Sequence, residues 1–161
     1  MKDGFIKAAS ASPVIKVADT EYNAQRVIET IKAADEMGVK MLVFPELVLT
    51  GCTCYDLTGH NVVLRGAKKA LLEVIAASEG VDMLVFVGLP IAVGSRLYSC
   101  AAAIYDGELL GLVPRENVRG TQVAEQTDSY VEVEIDAEHV AVLSTDYVFT
   151  CAALPALQGA A

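Results

Sequence analysis

The chain has 161 residues, 53% of them hydrophobic, with a formal charge of −9. That length suits one domain with a real buried core, and the acidic balance disfavours nucleic acid and anionic membrane surfaces as partners. No apolar stretch approaches the length needed to span a bilayer, and no cleavage-type leader follows Met1-Lys2-Asp3, so the expected location is the cytoplasm. Aromatic residues make up only 6% and there is no Trp, which leaves Ala, Val, Leu and Ile to fill the interior.

In chain order, Phe5 to Ala11 reads as a small-residue strand ended by Pro13. Asp19 or Thr20 suits a helix cap. Ala24, Val27, Ile28, Ile31 and Ala34 then recur at helical spacing, with Arg26, Glu29 and Lys32 turned outward, which predicts a helix over 19–37 stopped by Gly38. Val39 to Phe44 is apolar but for Lys40 and reads as a strand covered on both faces. A loop follows through Gly51, Cys52 and Gly59. A second helix fits Asn61 to Ser78, with Leu64, Ala67, Leu71, Val74 and Ile75 inward and Gly80 as its stop. Met83 to Val87 reads as another buried strand, closed by Gly88 and Pro90.

The pattern then changes. Leu97 to Tyr105 and Glu108 to Val113 flank Asp106-Gly107, a strong hairpin turn signal. Residues 115–129 are polar and without period, so they read as a loop. Val131, Val133 and Ile135 alternate with Glu132, Glu134 and Asp136 as in an exposed strand, and His139 to Leu143 reads as one more. Two right-handed β-α-β crossovers followed by hairpins predict a layered α/β sandwich. Both helices lie on one face of a sheet, and a second sheet or a partner covers the other. No repeat, low-complexity tract or linker divides the chain, so residues 1–161 are expected to form a single domain.

The stretch MLVFPELVLTG, residues 41–51, sets a lone carboxylate, Glu46, among apolar residues. A charge there is costly unless it is paired or hydrogen-bonded. Glu46 falls just past the C-terminal end of a buried strand, the edge at which open α/β sheets bind ligands, and Pro45 stiffens the backbone before it. A glutamate so placed suits a general base; position alone serves equally a carboxylate that caps a loop or pairs with an arginine. The four cysteines, Cys52, Cys54, Cys100 and Cys151, contain no C-x-x-C pair, and His60 and His139 stand alone, so no zinc pattern is present. Free thiols are expected, with Cys54 and Cys100 packed. Neither glycine-rich phosphate-binding motif, G-x-G-x-x-G or G-x-x-x-x-G-K-[ST], occurs, which sets aside a nucleotide-binding α/β domain.

LVFPELVLTG at 42–51 closely resembles the glutamate segment of the nitrilase superfamily of carbon–nitrogen hydrolases. MLVFVGLP at 83–90 resembles the next strand of that family. RLYSCAAAIYDGELLGLVPRENV at 96–118 resembles the hairpin leading to its catalytic lysine. With LTGCTCYDL at 49–57, these segments look most like the glutaminase domains of glutamine-dependent NAD synthetases. The resemblance is dense from about residue 5 to residue 118 and thin beyond.

The resemblance implies an α-β-β-α sandwich, here incomplete because the family domain is longer. It also implies a site in which a cysteine thiolate attacks an amide carbon, a glutamate moves protons and a cation stabilises the oxyanion. It implies no metal and no organic cofactor. By it, Glu46 is the glutamate, Arg115 stands where the family has lysine, and Ser144, in Val142-Leu143-Ser144-Thr145-Asp146, stands where the family has cysteine. Cys151 is the alternative nucleophile in a different register, and Cys52 is expected to border the pocket. The implied substrate is a small amide such as glutamine, cleaved to glutamate and ammonia in support of NAD biosynthesis. The implied partner is a separate synthetase domain or, because a shortened sheet leaves apolar edges open, a second copy of the chain. Arg115 and Ser144 predict impaired turnover. The alternative is an inactive nitrilase-like domain serving as a binding or assembly module.

Overall fold

The structure, a computed structural model, describes residues 5–93, 96–114, 129–135 and 138–145, with side chains described for 5–92 and 97–114. Strand β1 (Ala8–Ser10) leads to helix α1 (Thr20–Glu36), strand β2 (Met41–Val43), a short 3₁₀ segment (Cys52–Gly59) and helix α2 (Asn61–Ala77). Strands β3 (Leu84–Val93), β4 (Arg96–Tyr105) and β5 (Glu108–Pro114) follow. These five strands form one sheet in sequence order. The β1–β2 and β2–β3 pairs are parallel, and the β3–β4 and β4–β5 pairs are antiparallel. Strands β6 (Ser129–Ile135) and β7 (Glu138–Thr145) form a separate two-stranded antiparallel sheet.

Helix α1 begins where Asp19 Oδ1 accepts the Tyr22 N–H at 3.1 Å and ends at Gly38, whose φ of +68° is the left-handed turn that glycine accepts without a steric penalty. Its buried stripe is the expected Ala24, Val27, Ile28, Ile31 and Ala34, with Asn23 added. Helix α2 buries Val63, Ala67, Ala70, Leu71 and Val74; Leu64 and Ile75, expected inside, are half-buried. The stripe is turned because α2 packs on α1 as well as on the sheet. The helices meet at Gly66, where an added Cβ would lie 2.5 Å from Thr20 Oγ1.

Both helices therefore sit on one face of the sheet, as expected. They pack on alternate strand residues: Leu42 from β2, Val85, Val87, Leu89 and Ile91 from β3, Cys100, Ala102 and Ile104 from β4, and Leu112 from β5. At the other end of the sheet, Asp82 accepts from Lys40 and, at 2.8 Å, from the Tyr105 hydroxyl. The Asp106-Gly107 turn has φ of +46° and +76°, the two left-handed residues of a type I′ hairpin. Asp106 Oδ1 accepts the Gly80 N–H at 2.8 Å, and buried Ser78 Oγ accepts the Gly107 N–H at 3.0 Å, tying the turn to the end of α2.

Three expectations are corrected. β1 and β2 are shorter than expected, covering 8–10 and 41–43. The segment after Gly51 is a 3₁₀ turn broken at Tyr55 (φ +42°) rather than a plain loop. β3 does not close at Gly88 and Pro90 but runs through both to Val93, with Gly88 opposite Ala101 and Pro90 opposite Ser99. Because β2 stops at Val43, opposite Phe86, the far half of β3 has a ladder partner on the β4 side alone, and proline is tolerated on such an edge. The expected loop at 115–129 lies outside the described residues up to Ser129, which opens β6. No helix among the described residues is long and apolar enough to cross a membrane.

Candidate functional site

Glu46 sits on a turn held from several sides. After β2, Phe44 donates its N–H to Phe86 O at 3.0 Å. The chain then crosses β3 at Gly88, so closely that a Cβ there would lie 2.5 Å from both Pro45 O and Leu47 N and 2.9 Å from Glu46 Cα. Leu47 adopts φ +55°, a conformation uncommon outside glycine that persists where the surroundings over-determine it. Those surroundings are explicit. Leu47 O accepts the N–H groups of Thr50 and Gly51 at 3.0 and 2.7 Å, Leu49 N–H reaches Gly88 O at 3.3 Å, and Val48 and Leu49 are buried in the core.

A second anchor comes from α1. The Asn23 side chain, fully buried, donates to Lys16 O at 2.8 Å and to Leu49 O at 3.1 Å, and accepts the Lys16 N–H at 2.7 Å. Ala18 N–H adds a bond of 2.8 Å to Thr50 O. The segment before α1 and the turn after Glu46 are thus joined by one amide side chain and one direct backbone bond.

The Glu46 side chain lies over the face of the sheet opposite the helices. Its Oε1 accepts a hydrogen bond of 2.8 Å from Ser99 Oγ on β4. Both line a cavity of about 300 Å³ walled otherwise by apolar groups, including Phe86, Gly88, Val113 and Pro114. An adjoining cavity of about 340 Å³ is lined by Ser10 and Ser12 and shares Val43, Phe44 and Pro45. The arrangement offers a fixed proton acceptor beside a small cavity.

The other expected site residues are placed unevenly. Arg115 follows Pro114, part of the cavity wall, but it and Cys151 lie outside the described residues. Ser144 is paired with Tyr130 in the β6–β7 ladder. Cys54 and Cys100 are buried, as expected, and burial pushes the Cys100 thiol up to about 12, far from a ready thiolate. Cys52 is exposed on the 3₁₀ segment, and the cavity beside Glu46 is walled by other residues, which corrects the expectation that it borders the pocket. Among the described residues no group of three His, Cys, Asp or Glu side chains is placed to hold a metal.

Three residues of the site were not foreseen. Gly88 had a signal, a glycine inside an apolar strand, which marks close approach as often as a strand end. Asn23 had a weaker one, a polar residue on the apolar stripe of α1. Ser99, in Tyr98-Ser99-Cys100, had none.

Residues 7–134 match the family model described as carbon-nitrogen hydrolase. The chain is 29% identical over 159 residues to a glutamine-dependent NAD(+) synthetase of Mycobacterium bovis, an alignment covering 94% of this chain and 23% of that protein. Among solved structures, it is similar to the glutamine-dependent NAD+ synthetase of Acinetobacter baumannii, with a TM-score of 0.71 and 22% identity over 83% of this chain and 26% of that one. It is also similar to an amidase from Nesterenkonia sp. AN1, in a form carrying the acetamide moiety of fluoroacetamide on its active-site cysteine. There the TM-score is 0.65 and the identity 15%, over 80% of this chain and 52% of that one. The fold is thus the nitrilase-like α/β fold that these proteins share, and the chain spans about a quarter of the length of the synthetases it matches.

Proposed function

The chain belongs to the carbon–nitrogen hydrolase family, and from that premise we propose that it is a glutamine-type amide hydrolase with impaired turnover, in which Glu46 is the proton-transfer group. The observation that carries this reading is the placement of Glu46. Its backbone is pinned over Gly88, and its carboxylate meets Ser99 at the wall of a cavity large enough for a small amide.

In this reading the nucleophile's X–H proton passes to Glu46 as its oxygen or sulfur bonds to the amide carbon. The same proton is then returned to the leaving nitrogen and ammonia departs; water, deprotonated in turn by Glu46, attacks the acyl carbon, and the acid is released as that proton passes back to the departing nucleophile. Arg115, which follows Pro114 of the cavity wall in sequence, is the proposed cation for the oxyanion. The proposed nucleophile is Ser144, which the resemblance of Val142-Leu143-Ser144-Thr145-Asp146 sets where the family has cysteine. A carboxylate is a poor base for a hydroxyl, whose pKa is far higher than that of a thiol, and arginine in place of lysine keeps the charge but not the shape or hydration. Both substitutions predict weak turnover. Release of ammonia to a separate synthetase domain, in support of NAD biosynthesis in the cytoplasm, completes the proposal.

Those same two residues favour a second reading, an amide-binding or assembly module without turnover. Ammonia release from glutamine by the whole chain separates the two. Weak release lost in Glu46→Ala and Ser144→Ala but kept in Cys151→Ala supports the hydrolase. Release lost in Cys151→Ala instead moves the nucleophile to Cys151. No release, with saturable glutamine binding measured by calorimetry, supports the module.

A further inference from the structure

We propose that Ser99 is the positioning residue for the Glu46 carboxylate, a role that rests on the reading of Glu46 as the proton-transfer group. The Glu46 backbone is fixed by the turn, but its side chain is exposed, and a glutamate side chain has three further torsions that a rigid backbone does not set. Ser99 supplies what the turn lacks. It lies on β4, 5% exposed, opposite Pro90 and on the same face as Gly88 and Phe86, so its hydroxyl is held by a strand that has partners on both sides. From there Ser99 Oγ donates to Glu46 Oε1 at 2.8 Å. A hydroxyl donating to a carboxylate is a charge-assisted bond, stronger than a neutral one. The bond turns the carboxylate toward the cavity that both residues line. Ser99 is 53 residues away from Glu46 in sequence, so β4 and the turn must both be in place before the carboxylate is aimed. Cys100, the next residue, points into the helix-side core, which anchors the strand at that position.

The test is the ¹³Cδ resonance of Glu46 in the whole labelled chain, assigned by its loss in Glu46→Gln. The resonance is expected to move in Ser99→Ala and to return toward its original position in Ser99→Thr, which restores a hydroxyl. Backbone amide signals away from β4 and residues 45–51 should stay in place. A resonance unmoved in a folded Ser99→Ala chain overturns the proposal. Should Ser99→Ala not fold, the reciprocal measurement decides: the Ser99 ¹³Cβ resonance must move in Glu46→Gln, a change at an exposed side chain, and an unmoved signal overturns the proposal equally. In ammonia release, Ser99→Ala is expected to lower kcat about tenfold with KM unchanged, and Ser99→Thr to recover most of it. A threonine variant as impaired as alanine counts against positioning through the hydroxyl. A chain without any turnover would refute the hydrolase reading of Glu46 and leave the two resonance measurements to decide the Ser99 contact.

Discussion

Gly88 lies directly beneath Glu46: a Cβ added to the glycine would stand 2.9 Å from the glutamate Cα and 2.5 Å from Leu47 N and Pro45 O. All three atoms are backbone, so no side-chain rotation relieves the clash. The turn must lift away from β3, and with it the carboxylate.

Gly88→Ala is therefore expected to destabilise the chain by about 1–3 kcal/mol, the range for forcing atoms into a packed site, and to abolish any amide hydrolysis. Urea denaturation gives the first quantity and ammonia release the second. A variant with an unchanged midpoint would show that residues 45–47 do not rest on β3.

Asn23→Ala removes three hydrogen bonds at once, leaving Leu49 O without its side-chain partner in a buried setting and Lys16 N–H and O without theirs in a partly buried one. A stranded buried group costs about 1–3 kcal/mol, and water can reach the two groups of exposed Lys16, so a loss of about 1–3 kcal/mol is expected. Hydrogen exchange gives a local readout. The amides of Ala18 and Gly51, bonded to Thr50 O and Leu47 O, should lose protection more than those in the β4–β5 hairpin. Uniform loss would mean that Asn23 supports the whole core and not this junction in particular.

Cys100 links stability to pH. Burial raises its thiol from 9.0 to about 12. A folded pKa above the unfolded one means that unfolding releases a proton once the pH exceeds the unfolded value. The Cys100 contribution is thus complete below pH 9 and is lost as the pH climbs toward 12, at about 1.4 kcal/mol per pH unit between the two values. Urea midpoints at pH 8 and pH 10, for the unmodified chain and Cys100→Ala, isolate this slope, and equal slopes in the two chains would contradict it. At pH 8 a thiol reagent should modify exposed Cys52 much faster than Cys100.

Replacing Arg115 and Ser144 together by lysine and cysteine is expected to raise ammonia release from glutamine by at least about tenfold, since a thiol ionises far more readily than a hydroxyl. The gain should vanish on adding Glu46→Ala. A double variant no better than the unmodified chain would argue that the two positions do not form one site with Glu46.

Much of the fold was written in local pattern. The stripe Ala24, Val27, Ile28, Ile31 and Ala34 specified α1, and all five are buried, with Asn23 added, because helical periodicity is a property of neighbours along the chain. Asp106-Gly107 specified its hairpin for the same reason: the left-handed φ values are demanded by the turn itself. Glu46 was legible as a carboxylate beyond a strand end. What surrounds it was decided by tertiary structure. Gly88 reads locally as a stop and becomes a floor only because the turn at 45–47 crosses it. Pro90 reads as a strand breaker and is accommodated only because β2 has already ended beside it. The buried face of α2 turned away from its ideal stripe because Gly66 lets that helix close on Thr20. Ser99 meets Glu46 across 53 residues, a distance over which neither periodicity nor spacing carries information. The sequence by itself determined which elements form and where the carboxylate stands along the chain. Only the packing of turn, strand and helix decided which way that carboxylate points, because aim is set by contacts between groups distant in sequence.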